Sequence, residues 1–224
     1  MIHKRKITGV IFTLALITMV SQQLWSKPRI LIIYFTWAEN TVVTNRAKAV
    51  QEANKHISSM ERKNMPDTVT SASVLPPGNT AKLASWIHSR VGGDIYSIKV
   101  NDKYPSYYSE CLDRAWKEKS AKTSVQLINN NININNYDII FMGFPNWWSS
   151  IPMPVKTFVE SKNFSNKKII PFVSHGTGGI AATVRDLKKL LPKSAIVERP
   201  IGIYRSDTNN ARGDINNWLQ KLGY

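Results

Sequence analysis

Five short apolar runs, each rich in β-branched or aromatic residues and separated by amphipathic stretches, constrain this chain more than any other feature. Residues 29–35 (Arg-Ile-Leu-Ile-Ile-Tyr-Phe) show no polar alternation, as a strand covered on both faces requires. Residues 94–98, 137–142, 168–173 and 194–203 supply four more strands, the last interrupted by Pro200. Asn79 and Thr80 open a helix with Leu83, Ile87 and Val91 four apart on one face, stopped by Gly92 and Gly93. Further helices are predicted over residues 105–119, 155–160, 180–191 and 214–222, with Cys111 facing the core. Strand–helix alternation repeated in this way predicts an α/β fold, a doubly wound five-stranded parallel sheet, formed by residues 28–224 as one domain. The polar stretch at about 37–77, ending in Pro76-Pro77-Gly78, has only weak helical spacing around residues 47–57 and reads as an insertion.

Residues 1–26 have the shape of an export signal or N-terminal anchor. His3, Lys4, Arg5 and Lys6 form a basic start, residues 7–20 are uncharged and largely apolar, and residues 21–26 are polar with a small final residue. The apolar stretch is shorter than the about 20 residues that cross a bilayer, although extension through Leu24 and Trp25 would let it serve as an uncleaved anchor. The expectation is therefore a periplasmic protein, or one anchored facing out of the cytoplasm, touching membrane only through that segment. The chain carries 30 Lys and Arg against 15 Asp and Glu. Losing Lys4, Arg5, Lys6 and Lys27 leaves 26 against 15, so the domain itself stays basic at +11. Without a recognisable reading motif this charge implies no specific nucleic-acid partner. The single cysteine excludes an intramolecular disulfide and a multi-cysteine metal site, so redox chemistry would need a bound cofactor.

In a doubly wound sheet ligands sit beyond the carboxyl ends of the strands, which selects three loops. The first begins Thr36-Trp37-Ala38-Glu39-Asn40-Thr41; the second reads Gly143-Phe144-Pro145-Asn146-Trp147-Trp148-Ser149; the third is Ser174-His175-Gly176-Thr177-Gly178-Gly179. A hydroxyl- and Gly/Asn-rich loop entering a helix can wrap a phosphate with backbone N–H groups and needs no cation to do so. Paired tryptophans offer a flat platform for a planar heterocycle, and a glycine-rich loop lets main chain approach the other side. Together they suit a planar ring joined to a phosphate.

The chain resembles the flavodoxin family, in the branch where an insertion separates the first strand from a phosphate-binding Gly-Asn-Thr. The resemblance rests on Tyr34-Phe35-Thr36 with Glu39-Asn40, Ser71-Ala72-Ser73-Val74, Gly78-Asn79-Thr80, Gly92-Gly93-Asp94 and Tyr104-Pro105. It continues through Gly143-Phe-Pro-Asn-Trp-Trp148, Pro152, Pro154, Phe158, Glu160 and Ser161, then Ser174 and residues 176–179. It covers residues 30 to about 203. It implies strand order 2-1-3-4-5, non-covalent FMN and a role in electron transfer. The cofactor-binding residues it suggests are Thr36 and Trp37; Asn79 and Thr80; Pro145, Asn146, Trp147 and Trp148; and Ser174, His175, Gly176, Gly178 and Gly179, with no catalytic or metal-ligating residue. Between residues 38–41 and 77–80 as the phosphate cradle, charge favours the second, because the Glu39 carboxylate would repel a phosphate dianion. Asn79 alone would serve equally as a helix cap. A His175 near the ring's pyrimidine edge would favour electron uptake if positive, although such a histidine more often meets a local backbone hydrogen bond.

Three readings follow: a shuttle passing electrons to a redox partner protein or small acceptor, an FMN-dependent NAD(P)H or quinone oxidoreductase, and an exported flavin-free binding protein. The basic charge departs from the acidic surface of flavodoxin shuttles, while a reductase needs room for nicotinamide that Trp147 or Trp148 would cover. A receiver domain with the same sheet order is set aside, because Tyr34-Phe35-Thr36 offers no metal-holding acids.

Overall fold

The computed structural model describes residues 27–55, 73–176 and 178–224; the export-like segment, residues 56–72 of the insertion with Ser71 and Ala72, and Thr177 lie outside them. In chain order the elements are β1 (Ile30–Tyr34), α1 (Arg46–Lys55), α2 (Asn79–Val91), β2 (Asp94–Ser97), β3 (Lys99–Val100), α3 (Tyr108–Ala121) and β4 (Leu127–Ile128). They continue with β5 (Ile139–Pro145), α4 (Met153–Glu160), β6 (Lys168–His175), α5 (Thr183–Leu190), β7 (Ile196–Val197), β8 (Ile201–Tyr204) and α6 (Arg212–Lys221). The main sheet runs β2-β1-β5-β6, with β7 and β8 sharing the outer place beside β6, all parallel. This is the expected 2-1-3-4-5 order, with the fifth position split in two. The split falls around Pro200, which has no N–H to give a ladder.

Side chains one apart along a strand point to opposite faces, and here each face has its own core. Leu31, Ile33, Ile140, Met142, Phe144, Ile169 and Val173 pack with Val155 and Phe158 of α4 and Leu187 of α5. Ile32, Phe141, Ile170 and Phe172 pack with Leu83 and Ile87 of α2 and Ile215 and Leu219 of α6. Each such side chain, fully buried, contributes about 1.5–3 kcal/mol, which explains why the central strands read as unbroken apolar runs. Gly143 is dictated by this packing: a Cβ there would lie 2.1 Å from the Phe172 ring.

The insertion joins the first of these cores. Asn45 caps α1 by accepting the Lys48 N–H through Oδ1 at 2.9 Å, and Ala49 and Ala53, four apart, are its fully buried face. The antiparallel pair β3–β4 was not expected, because two-residue strands leave no periodic signature.

Candidate functional site

One cleft opens beyond the carboxyl ends of the main-sheet strands, between the start of α2, the loops after β5, β6 and β8, and one side of α3. Nine of the expected residues line it: Trp37, Asn79, Pro145, Asn146, Trp147, Trp148, Ser174, His175 and Gly176. Thr36, Thr80, Gly178 and Gly179 are not on its wall, and the contacts of each explain why.

The first loop divides into a binding edge and an anchor. Thr36 is extended and 1% exposed, and its Oγ1 has no hydrogen-bond partner among the described residues. It lies behind Gly78, where a Cβ would come within 2.2 Å of it, and Gly78 adopts φ +81°, so only glycine suits this turn. Asn40 is buried and fully engaged. Its Nδ2 donates to Thr36 O at 2.9 Å and Ile98 O at 3.0 Å, while its Oδ1 accepts from Val100 N–H at 2.8 Å. Glu39 turns away from the cleft and accepts from Tyr34 Oη at 2.8 Å and Ser97 Oγ at 2.5 Å, with Lys99 Nζ at 3.0 Å. Burial alone would raise its carboxyl, but the bonds from Ser97, Lys99 and Tyr34 outweigh that and hold it below the usual carboxylate value. Residues 38–41 thus brace the sheet and offer no cradle. Trp37 is 3% exposed, held by its Nε1 donating to Pro105 O at 3.0 Å.

At the head of α2 the capping position is Gly78, which has no side chain to cap the helix. Asn79 is therefore no cap: its N–H donates to Ser73 Oγ at 2.5 Å and its Nδ2 reaches Arg205 O at 3.5 Å. The Thr80 hydroxyl lies 3.0 Å from Ser174 Oγ, joining the helix start to the end of β6 behind the cleft wall. The dipole end of α2, reached from the cleft at Asn79, and the Thr36 hydroxyl, unpartnered among the described residues, share one corner, suited to an anion.

After β5 the chain makes a tight turn. Trp147 and Ser150 exchange N–H···O bonds at 3.1 and 3.0 Å, and Trp148 and Ser149 between them both have positive φ, +50° and +60°. That is the mark of a type I′ turn, here made without glycine. Trp147 meets Phe35 and Tyr104 edge-on, with centroids 5.4 and 5.1 Å apart. Trp148 is 38% exposed; its Nε1 donates to Leu112 O at 3.0 Å and its ring lies 4.9 Å from that of Trp116. Behind the third loop, Gly179 O accepts from Asn146 Nδ2 at 2.7 Å, and a Cβ on Gly178 would lie 3.6 Å from that Nδ2. His175 donates from Nδ1 to Gly176 O at 2.9 Å, the local backbone bond expected of such a histidine.

The sequence reading missed Ser73, Tyr108, Cys111, Leu112, Ala115 and Arg205 as lining residues. Those on α3 sit on the stripe assigned to the core; Cys111 is buried as expected, and burial pushes its thiol up, but the stripe also walls the cleft. Arg205 follows the fifth strand position, and the rule that selected the other loops applies equally there. Among the described residues, no group of His, Cys, Asp and Glu could hold a metal ion.

Solved structures that share this architecture include flavoproteins. A protein of Bacteroides eggerthii classed as a flavoprotein is 22% identical, covering 88% of this chain and 99% of its own, with a TM-score of 0.60. A second, from Bacteroides uniformis, is 21% identical over 86% of this chain and 98% of its own, also with a TM-score of 0.60. A flavoprotein from Lactobacillus acidophilus, solved in complex with FMN, is 19% identical over 86% and 99%, with a TM-score of 0.50. No curated protein matches. The family model described as flavodoxin matches residues 68–222, from within the insertion to the end of α6, and on that match the chain belongs to the flavodoxin family.

Proposed function

We propose that the protein binds FMN non-covalently in this cleft and works as an electron carrier outside the cytoplasm. The observation that carries the reading is the start of α2 on the cleft wall, entered through a glycine, with the buried Thr36 hydroxyl, unpartnered among the described residues, directly behind that glycine. A phosphate seated against this corner would meet the α2 amides and, past the bare Cα of Gly78, the Thr36 hydroxyl. The residues fit the rest of the group as well: Asn146 Oδ1 is a second buried acceptor without a described partner, the walls are aromatic and main chain, and no described lining residue is acidic. The complex of the Lactobacillus acidophilus flavoprotein with FMN supports the same assignment.

In this reading Thr36, Ser73, Asn79 and the α2 amides hold the phosphate, with Thr80 and Ser174 bracing them. Trp148, Asn146 and Gly176 would hold the ring, with Gly179 fixing Asn146 from behind. Bound FMN supplies one- and two-electron redox chemistry. The chain's residues would orient the ring and shield it from water, with the His175 side chain on the same wall. Trp148 at the mouth favours a shuttle over a reductase, because a nicotinamide would need room over the ring that Trp148 would restrict. The partner is then a redox protein or small acceptor, and the net charge of +15 suits an acidic one.

Export is part of the proposal. It is supported by the basic and apolar character of residues 1–26, while no helix among the described residues is long and apolar enough to cross a membrane. Absorption spectroscopy after reconstitution tests the core of the reading: a flavin spectrum retained through desalting is expected with FMN and not with riboflavin. A colourless product would leave the flavin-free binding protein. Slow steady-state oxidation of NADH and NADPH is expected of the holoprotein, and fast turnover would favour the reductase. Sequencing the N-terminus from fractionated cells tests export, for which an intact Met1 on soluble cytoplasmic protein is the contrary result.

A further inference from the structure

Arg205 stands where the loop after β8 meets both other parts of the cleft. Its N–H donates to His175 O at 2.8 Å, joining it to the third loop. Its carbonyl accepts from Asn79 Nδ2 at 3.5 Å and from Thr208 Oγ1 at 3.0 Å, joining it to the start of α2. The main chain is thereby pinned on both sides of the site, and the side chain lines the cleft. Its guanidinium lies along Gly176: a Cβ on that residue would come within 3.0 Å of Nη1 and 3.3 Å of Cζ, so the glycine makes the room it occupies. Among the described residues lining the cleft, Arg205 alone carries a permanent charge.

We propose that Arg205 is the specificity residue of the cleft, pairing with the phosphate dianion of FMN so that the site selects a phosphorylated flavin over riboflavin. This rests on the FMN reading above and adds a cation to a corner otherwise built from neutral donors. A helix dipole offers about half a unit of positive charge against a dianion, and its effect fades within the first turn. A guanidinium adds a full charge and a fork whose geometry matches two phosphate oxygens. Glu39, the carboxylate that the sequence sets nearest this corner, is held away from it by Tyr34, Ser97 and Lys99.

Fluorescence titrations of the apoprotein with FMN and with riboflavin, at low and high salt, test this on wild type, Arg205→Gln and Arg205→Lys. The expected result is a loss of about 10- to 100-fold in FMN affinity for Arg205→Gln, the scale of a charge-assisted bidentate contact, with riboflavin changed by less than about 2-fold. Arg205→Lys should fall between, since it keeps the charge and loses the fork. The gap between FMN and riboflavin should narrow at high salt. Riboflavin binding also reports whether each variant is folded. Equal losses for both flavins would overturn the proposal in favour of a role in the ring site or the fold, and unchanged FMN affinity would overturn it outright. Wild-type protein that binds neither flavin would refute the FMN reading itself, a result distinct from either of these.

Discussion

Asn146 Nδ2 donates to the main-chain carbonyl of Gly179 at 2.7 Å, and this bond ties the tryptophan loop after β5 to the glycine loop after β6. Asn146 donates a second bond across the same seam, from its N–H to Ser174 O at 2.9 Å. The two walls proposed to enclose the ring are thus positioned by one residue. Asn146→Ala should cost about 1–2 kcal/mol in flavin affinity, because it frees one wall and strips Gly179 O of its partner. The loss should be equal for FMN and riboflavin, as the bond removed joins the two walls proposed for the ring. Titration with both flavins checks this, and a loss confined to FMN would contradict it.

Thr36→Val should show opposite effects on the apo and flavin-bound forms. Removing a buried hydroxyl that has no described partner should stabilise the apoprotein by about 1 kcal/mol. The same change should weaken FMN while leaving riboflavin unchanged. Thermal melts with and without FMN would reveal the crossover; FMN affinity unaltered by the change would mean that phosphate does not meet this hydroxyl.

The two tryptophans should separate by function. Trp147 is wedged edge-on against Phe35 and Tyr104, so Trp147→Ala should lower unfolding free energy by about 3 kcal/mol. Trp148 is half out in solvent, and Trp148→Ala should cost no more than about 1 kcal/mol of stability. It should instead lose about 1–3 kcal/mol of flavin affinity, the scale of a stacking contact. Denaturation and flavin titration on both variants check the assignment.

The Tyr34–Glu39 pair should shape stability at both ends of the pH range. Glu39 is held below its ordinary 4.5, so its contribution is present above that pH and fades as pH falls through the folded-state value. Burial first, and then the bond to Glu39, push the Tyr34 phenol from 10.0 up to about 12. Its contribution is present below pH 10 and fades as pH rises toward 12. Urea unfolding across pH should show the acid limb flattened in Glu39→Gln and the alkaline limb flattened in Tyr34→Phe.

The residues that were legible in sequence owe it to local periodicity. Residues 29–35 announce a strand covered on both faces, and Leu83 with Ile87 announce the buried stripe of α2, because burial imposes a repeat of two or of 3.6 on side chains close in sequence. The boundaries shifted by a few residues: α3 ends at Ala121 and β6 runs on to His175. Two-residue β3 and β4 left no repeat to read. The candidate site was half legible, since the rule that ligands lie beyond strand ends selects loops but does not say which way a side chain on them turns.

By itself the sequence determined the alternation of strands and helices, the parallel sheet this demands, and three loops able to hold a ring and a phosphate. Only the tertiary structure decided that Glu39 turns back to Tyr34, that Asn40 braces the sheet, and that Thr80 faces Ser174, 94 residues away. It also brought Arg205 beside Asn79 across 126 residues and gave α3 a wall of the cleft in addition to its core face. Contacts between distant residues follow from how helices settle on the sheet, and no short-range pattern in the chain encodes them. A strand needs only its neighbours' hydrophobicity to be recognised, whereas a binding corner exists only once four separate segments have packed together.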